Sequence, residues 1–161
     1  HDTAEVGTRL SVQAPAGEFT LDAEATRPLV LVTGGVGITP AMAMLESAAA
    51  SGRPIRFIHA ARHGGVHAFR ERVDVLAAAH ENVEALYVYD APRDGDEPHE
   101  VGYVTDALLA RHLPEDRDVD LYLLGPKPFM QAVYRAGRSL GVPAGQLRYE
   151  FFGPAEELVG A

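Results

Sequence analysis

Five short apolar runs, spaced by stretches of helical periodicity, constrain this chain more than any other feature of it. Leu29 to Thr33, Ile55 to Ala61, Val83 to Tyr89, Val119 to Leu124 and Gln146 to Phe152 each read as a strand. A helix is expected from Pro40 to about Ser51, and Phe69, Val73, Leu76 and Ala77 stand at helical spacing after the second strand. Thr105 opens a short helix carrying Leu108, Leu109 and Leu113, and Phe129, Met130, Val133 and Leu140 mark a last one that Gly141 closes. This alternation predicts an α/β fold: a Rossmann-like, doubly wound, parallel five-stranded sheet with helices on both faces. Right-handed crossovers would bring the strand C-termini to one edge, where such sheets take ligands. The residues to watch therefore follow the strands: Gly34 to Thr39, Ala61 to Val66, Asp90 to Arg93 and Gly125 to Phe129. Upstream, Thr8 to Ala14 alternates as a strand does, and Ala23 to Pro28 reads as a linker. Arg93 to Glu100 reads as a solvated acidic loop.

Composition narrows the classes of function. The 161 residues suffice for one domain with a core. No apolar run approaches the roughly 20 residues of a membrane-spanning helix. Fourteen basic against 23 acidic residues give a net charge of −9, which disfavours nucleic acid as a partner. The chain has no cysteine, which excludes disulfides, thiolate-held iron–sulfur clusters and a Cys nucleophile. It begins at His1, which predicts a piece of a longer polypeptide, and HDTAEVG does not read as a signal peptide. A cytoplasmic location is expected.

Three motifs fall where the fold places ligands or at the chain's end. Gly34-Gly35-Val36-Gly37-Ile38-Thr39-Pro40 follows the first strand directly. Glycines let the backbone approach a ligand closely, Thr39 is a good N-cap, and Pro40 sits well at the first helical position. The product is a helix N-terminus fitted to a pyrophosphate, although the spacing is not GxGxxG and a packing turn is the alternative. Gly125-Pro126-Lys127-Pro128-Phe129-Met130 opens a second helix in the same manner; taken by itself it reads as a plain helix start, but one dinucleotide could span both starts. The third motif is Tyr149-Glu150-Phe151-Phe152-Gly153-Pro154. Paired aromatics near a chain end usually pack an edge, yet they could instead lie flat on a planar cofactor beside a carboxylate. His59, His63 and His67 are spaced by four, but they straddle a strand, a loop and a helix, so no metal is expected. No Gly-x-Ser-x-Gly elbow is present.

With these motifs in this order, the chain resembles the ferredoxin–NADP reductase superfamily and, more narrowly, the C-terminal reductase portion of flavohaemoglobins (nitric oxide dioxygenases). GGVGITPAMAMLES is similar to the family's nicotinamide pyrophosphate loop, FIHAARHGGVHAF to its second strand and following helix, LYLLGPKPFM to its nicotinamide-side loop and YEFFGP to its flavin contact. VGTRLSVQAPAGEF resembles the last strand of the flavin barrel, so residues 1–27 are expected to be the end of that barrel with a linker, and 28–161 the NAD(P)-binding domain. The resemblance implies that Gly34, Gly35, Val36, Gly37, Ile38, Thr39 and Pro40 hold the dinucleotide phosphates and that Gly125, Pro126 and Phe129 serve the nicotinamide side. It further implies that Phe151, Phe152, Gly153 and Pro154 touch the flavin, with Phe152 on the isoalloxazine ring and Glu150 tuning its potential. Two positions depart from the family: Leu124 stands where members usually carry Cys, and Phe151 where they often carry Cys. Asp90, near the family's ribose contacts, would accept a bond from the 2′-OH and repel a 2′-phosphate, so NADH is expected over NADPH. FAD would be held mostly by the barrel, haem by a globin domain of the same polypeptide, and this chain alone should hold flavin weakly or not at all. The alternatives are a flavin reductase serving another acceptor and a non-catalytic nucleotide-binding remnant.

Overall fold

The computed structural model describes residues 5–14, 17–22, 24–152 and 158. Its strands form where β-branched and large apolar residues run together. They are β1 (Leu29–Gly34), β2 (Ile55–Ala61), β3 (Val83–Tyr89), β4 (Glu100–Val101), β5 (Asp120–Leu124) and β6 (Leu147–Tyr149). Among the described residues they make one sheet in the order β4-β3-β2-β1-β5-β6, every pair parallel. All residues of β1 and β5 are buried, as a strand covered on both faces requires. The chain starts at the centre, builds outward to β4, then returns to the other side of β1. The reversal falls between β1 and β5.

Among the described residues four α-helices cover the sheet: α1 (Ile38–Ala48), α2 (Arg70–Ala79), α3 (Asp106–His112) and α4 (Lys127–Ser139). The two-residue period of a strand sorts the core into halves. Leu29 and Leu31 pack with Ile38, Ala41 and Leu45 of α1 and Val73 of α2. Val30 and Val32 pack with Leu108 and Leu109 of α3 and Met130 and Val133 of α4. Thr105 starts α3, its hydroxyl accepting the Leu108 N–H at 3.2 Å. No helix among the described residues is long and apolar enough to cross a membrane.

Several expectations need correction. The sheet has six strands, not five, because Glu100 and Val101, expected to end a loop or follow it, pair with Val88 and Tyr89 on the open edge of β3. A two-residue edge strand is too short to show periodicity. Residues 8–14 form no strand, and Leu10 and Val12 are 73% and 88% exposed. Alternation supplies side chains for a strand but not the neighbouring backbone it must bond to. The last strand stops at Tyr149 rather than Phe152. Phe69 precedes α2 with φ +60° and stands half exposed, so it is not on the helix's buried face. Phe19 and Leu21, assigned to the preceding segment, pack on the α1–α2 side of the core, Phe19 edge-on to Tyr122 at 5.5 Å.

The N-terminal edge of the strands is closed by charge. Asp120, buried at the start of β5, bonds Arg53 at 3.0 Å and Arg27 at 3.3 Å. Arg53 Nε also donates to the Arg27 carbonyl at 2.8 Å, tying the segment before β1 to the sheet. Asn82 Nδ2 donates to the carbonyls of Ala49 and Arg53 at 3.1 and 2.8 Å, joining the loops below β2 and β3.

Candidate functional site

At the opposite edge, where the strand order reverses, the loops part around a cleft of about 750 Å³. Two glycines of one turn have different consequences there. A Cβ on Gly37 would lie 2.3 Å from the Leu124 carbonyl oxygen, so Gly37 lets the start of α1 touch the end of β5. Gly35 adopts φ +52° and a Cβ there would meet nothing within 4 Å. Its backbone lies open to the cleft, a cradle that a side chain would fill. Residues Gly35–Gly37 form a 3-10 turn, and the Ile38 N–H bonds back to the Gly35 and Val36 carbonyls. Neither this turn nor α1 has a side-chain cap or an acidic residue in its first turn. The positive end of α1 is thus left for an external anion. Thr39 is not the N-cap expected, nor Pro40 the first helical residue: the 3-10 turn starts the helix early, placing them second and third in α1, with the Thr39 hydroxyl donating to the Val36 carbonyl at 3.1 Å.

The second glycine-led start faces the same space. α4 follows β5 through Gly125 and Pro126, also without a side-chain cap, and Pro126, Pro128 and Phe129 line the cleft. The Phe129 ring covers both loops: a Cβ on Gly34 would stand 3.1 Å from its Cδ1, and one on Gly125 2.9 Å. Arg62 after β2 and Asp90 after β3 line the other half. Their loops are pinned, Asp90 N–H donating to Ala61 O at 3.2 Å and Ala91 N–H to Arg62 O at 2.9 Å. The Asp96 carboxylate accepts the N–H groups of Arg93 (2.8 Å) and Gly64 (2.9 Å), and these bonds lower its pKa. Gly102, Tyr103 and Val104 complete the wall; sequence reading missed them because the strand before them was invisible.

Gly34, Gly35, Val36, Ile38, Thr39, Asp90, Pro126 and Phe129 therefore come together on one cleft, with Gly37 and Gly125 against one another behind it. The aromatic tail lies elsewhere. Glu150 is exposed beside a second groove of about 350 Å³ shared with Glu18, Phe19 and Arg148. Phe151 packs on the α3–α4 core and edge-on to Tyr149 at 5.8 Å, while Phe152 is 55% exposed. Gly153 and Pro154 lie outside the described residues.

Beneath the loop that carries Val66 and Ala68 into the cleft, His59 and His67 stack with ring centroids 4.3 Å apart. His59 Nδ1 is 2.7 Å from the Thr33 hydroxyl and His67 Nδ1 2.7 Å from the Tyr89 hydroxyl. Burial, then the neighbouring His67 charge, lowers the His59 pKa to about 3. Burial, then Arg70, lowers that of His67 to about 4 against an opposing pull from Asp74. Both rings are neutral near pH 7. His67 sits in the loop before α2 rather than in the helix, and the described residues hold no group of three or more His, Cys, Asp or Glu able to bind a metal ion.

A doubly wound sheet with a glycine-led helix start at its strand reversal is the plan of a dinucleotide-binding domain. The chain belongs to the oxidoreductase NAD-binding domain family, whose model matches residues 31–135. It is 55% identical over 159 residues to the flavohemoprotein of Burkholderia sp. (strain TH2) and 52% identical over 158 residues to that of Pseudomonas aeruginosa. In each case 98% of the chain is matched, and it spans only 40% of the relative's length, corresponding to the reductase part. Among solved structures it is similar to the flavohem-like FAD/NAD binding domain of nitric oxide dioxygenase from Vibrio cholerae, with 32% identity and a TM-score of 0.76 over 88% of this chain and 57% of that one. The flavohemoglobin of Malassezia yamatoensis, solved with FAD and heme, is 25% identical with a TM-score of 0.72 over 85% of this chain and 35% of that one.

Proposed function

We propose that the cleft binds NADH and presents its nicotinamide to a flavin held chiefly by a barrel outside residues 28–161, of which residues 1–27 are the end. In the complete polypeptide, a cytoplasmic one, a globin domain would take the electrons onward to haem for nitric oxide dioxygenation. The observation that carries the reading is the meeting of two uncapped helix starts, α1 and α4, on one cleft at the strand reversal.

The chemistry, when both are bound, is hydride transfer supplied by the nicotinamide and the flavin. This chain's residues bind, orient and shield. Backbone N–H groups between Gly35 and Thr39 take the pyrophosphate, with Gly34 beneath it, Val36, Ile38 and Thr39 around it and Pro40, which has no N–H to give, in the helical turn behind. Pro126 and Phe129, on the turn made by Gly125, wall the nicotinamide side and exclude water. Asp90 takes the ribose hydroxyls and disfavours a 2′-phosphate. Phe151 to Pro154 form the flavin contact, in which Phe152 covers the ring face and yields it to nicotinamide, and Glu150 biases the flavin potential. Orientation is the main contribution, because hydride transfer needs an approach of about 3–3.5 Å in line.

Titration of the complete polypeptide with NADH, followed by anaerobic flavin reduction, tests the reading. Saturable NADH binding with flavin bleaching is expected, and calorimetry showing no heat with millimolar nucleotide would refute it. Phe152→Ala should change both nicotinamide affinity and the hydride-transfer rate; unchanged constants remove its gating role.

A further inference from the structure

We propose that His67 is a positioning residue for nucleotide binding: its seat on His59 holds the loop after β2 in the shape that puts Val66 and Ala68 on the cleft wall. The assignment rests on the pyridine-nucleotide reading above. Residues 62–69, between β2 and α2, turn around this one ring. Val66 and Ala68 stand exposed and line the cleft, whereas His67 between them points inward and is 7% exposed. The loop can yield on either side of it. Gly64 and Gly65 come before, and Phe69 after it takes φ +60°, a left-handed backbone that a residue with a Cβ resists. The backbone bonds in between stay within the loop: the Val66 N–H donates to the His63 carbonyl at 3.1 Å and the His67 N–H to that of Gly64 at 3.0 Å. What ties the middle of the loop to the sheet is therefore the His67 side chain. It stacks on His59, bonds the Tyr89 hydroxyl and meets the Tyr87 ring edge-on at 4.6 Å. His59 is the fixed member, since β2 is paired to β1 on one side and β3 on the other.

The seat accepts only uncharged rings. Nδ1 of each ring meets a hydroxyl, while Nε2 of each is buried with no partner among the described residues. A neutral imidazole can leave one nitrogen bare, but a protonated one is a donor at both and needs two acceptors. The surrounding groups do not supply the second. Arg70 lies over the Tyr87 ring at 5.4 Å and opposes another cation. Asp74 is engaged by the Tyr87 hydroxyl at 2.5 Å and by Arg70 at 3.9 Å. Burial raises the pKa of Tyr87 and Tyr89, so both stay neutral. His63, the third buried histidine of the loop, lies near enough to Asp96 to lower the pKa of that carboxylate. A proton is therefore accommodated by unseating His67, which carries Val66 and Ala68 with it. Acid should weaken nucleotide binding through this loop.

The test uses the complete polypeptide, titrated with NADH at pH 7 and with the acid-stable NAD+ at pH 7 and pH 5. At pH 7, His67→Ala should raise the NADH dissociation constant by about tenfold while flavin reduction at saturating NADH stays within about twofold of wild type. His67→Phe keeps a flat ring on His59 without a titrating group, and should restore NADH affinity to within about threefold. Between pH 7 and pH 5 the wild type should lose NAD+ affinity by about fivefold, and His67→Phe by less than about twofold. Hydrogen exchange should report the same opening: protection of the Val66 and His67 amides falls in acid in the wild type and not in His67→Phe. An unchanged dissociation constant in folded His67→Ala overturns the proposal, as does an equal acid loss in wild type and His67→Phe. Equal falls in affinity and saturated reduction rate also overturn it, because His67 would then be serving the fold at large. If His67→Ala does not fold, the acid comparison of wild type with His67→Phe decides. Failure of the unsubstituted protein to bind either nucleotide at pH 7 is a different result: it defeats the nucleotide reading, and the role of His67 falls with it.

Discussion

The two edges of the sheet are finished in opposite ways. At the N-terminal edge Asp120, Arg53, Arg27 and Asn82 satisfy one another and the loop carbonyls, leaving little for an outside partner to bond. At the C-terminal edge the turns are glycine and proline, the helix starts carry no side-chain caps, and the walls are largely apolar. Both edges face the same problem, the unpaired backbone groups at the ends of parallel strands and helices. One is settled within the chain by charged side chains, whereas the other keeps donors for a ligand.

Breaking the closed edge should have the largest effect. Asp120→Ala leaves Arg53 buried without its carboxylate and is expected to cost about 3–5 kcal/mol in denaturant unfolding, with NADH affinity of the folded protein retained. A loss below about 1 kcal/mol would mean that this cluster does not hold the edge shut.

Acid should act first on the open edge. His59 and His67 have folded pKa values below their ordinary 6.5, so the unfolded chain takes up protons before the folded one as pH falls. Their stabilising effect is complete above pH 6.5 and declines below it until the folded rings titrate, near pH 4 for His67 and pH 3 for His59. Each ring should lower stability by up to about 1.4 kcal/mol per pH unit in that window. Denaturant midpoints at pH 7 and pH 5 measure the drop, and His59→Phe should flatten it. An equal slope in the variant would clear the stack of any part in it.

The pair Gly37→Ala and Gly35→Ala separates packing from binding within one turn. Gly37→Ala drives a methyl into the Leu124 carbonyl and should cost about 1–3 kcal/mol of stability or more. Gly35→Ala should cost only about 1 kcal/mol for its left-handed backbone, yet weaken NADH by about tenfold by filling the cradle. Similar stability losses with unchanged NADH affinity would show that the turn serves packing alone. The smallest change is expected from Asp90→Asn, which should narrow the NADH-over-NADPH preference by about fivefold, as comparison of the two dissociation constants would reveal. An unaltered ratio would move nucleotide choice to Arg62 or elsewhere.

Much of this was legible before any coordinates. β2 and β3 run from Ile55 to Ala61 and from Val83 to Tyr89 as their apolar runs foretell, and the glycine turn at Gly34 opens a helix on the ligand edge. The omissions share a cause. β4 is two residues long and exists because β3 has an open edge beside it, so nothing local announces it, and Tyr103 stayed hidden with it. Thr8 to Ala14 shows the reverse: it has the alternation of a strand and forms none.

By itself the sequence determined what each segment could be, because burial on one or two faces writes its period into the choice of side chain. Only the tertiary structure decided which segments met. The contact of Gly37 with Leu124, the hydrogen bond between His59 and Thr33 and the closure of Asp120 on two arginines join residues far apart in the chain. No local pattern encodes such pairings, since they depend on which backbone happens to lie alongside.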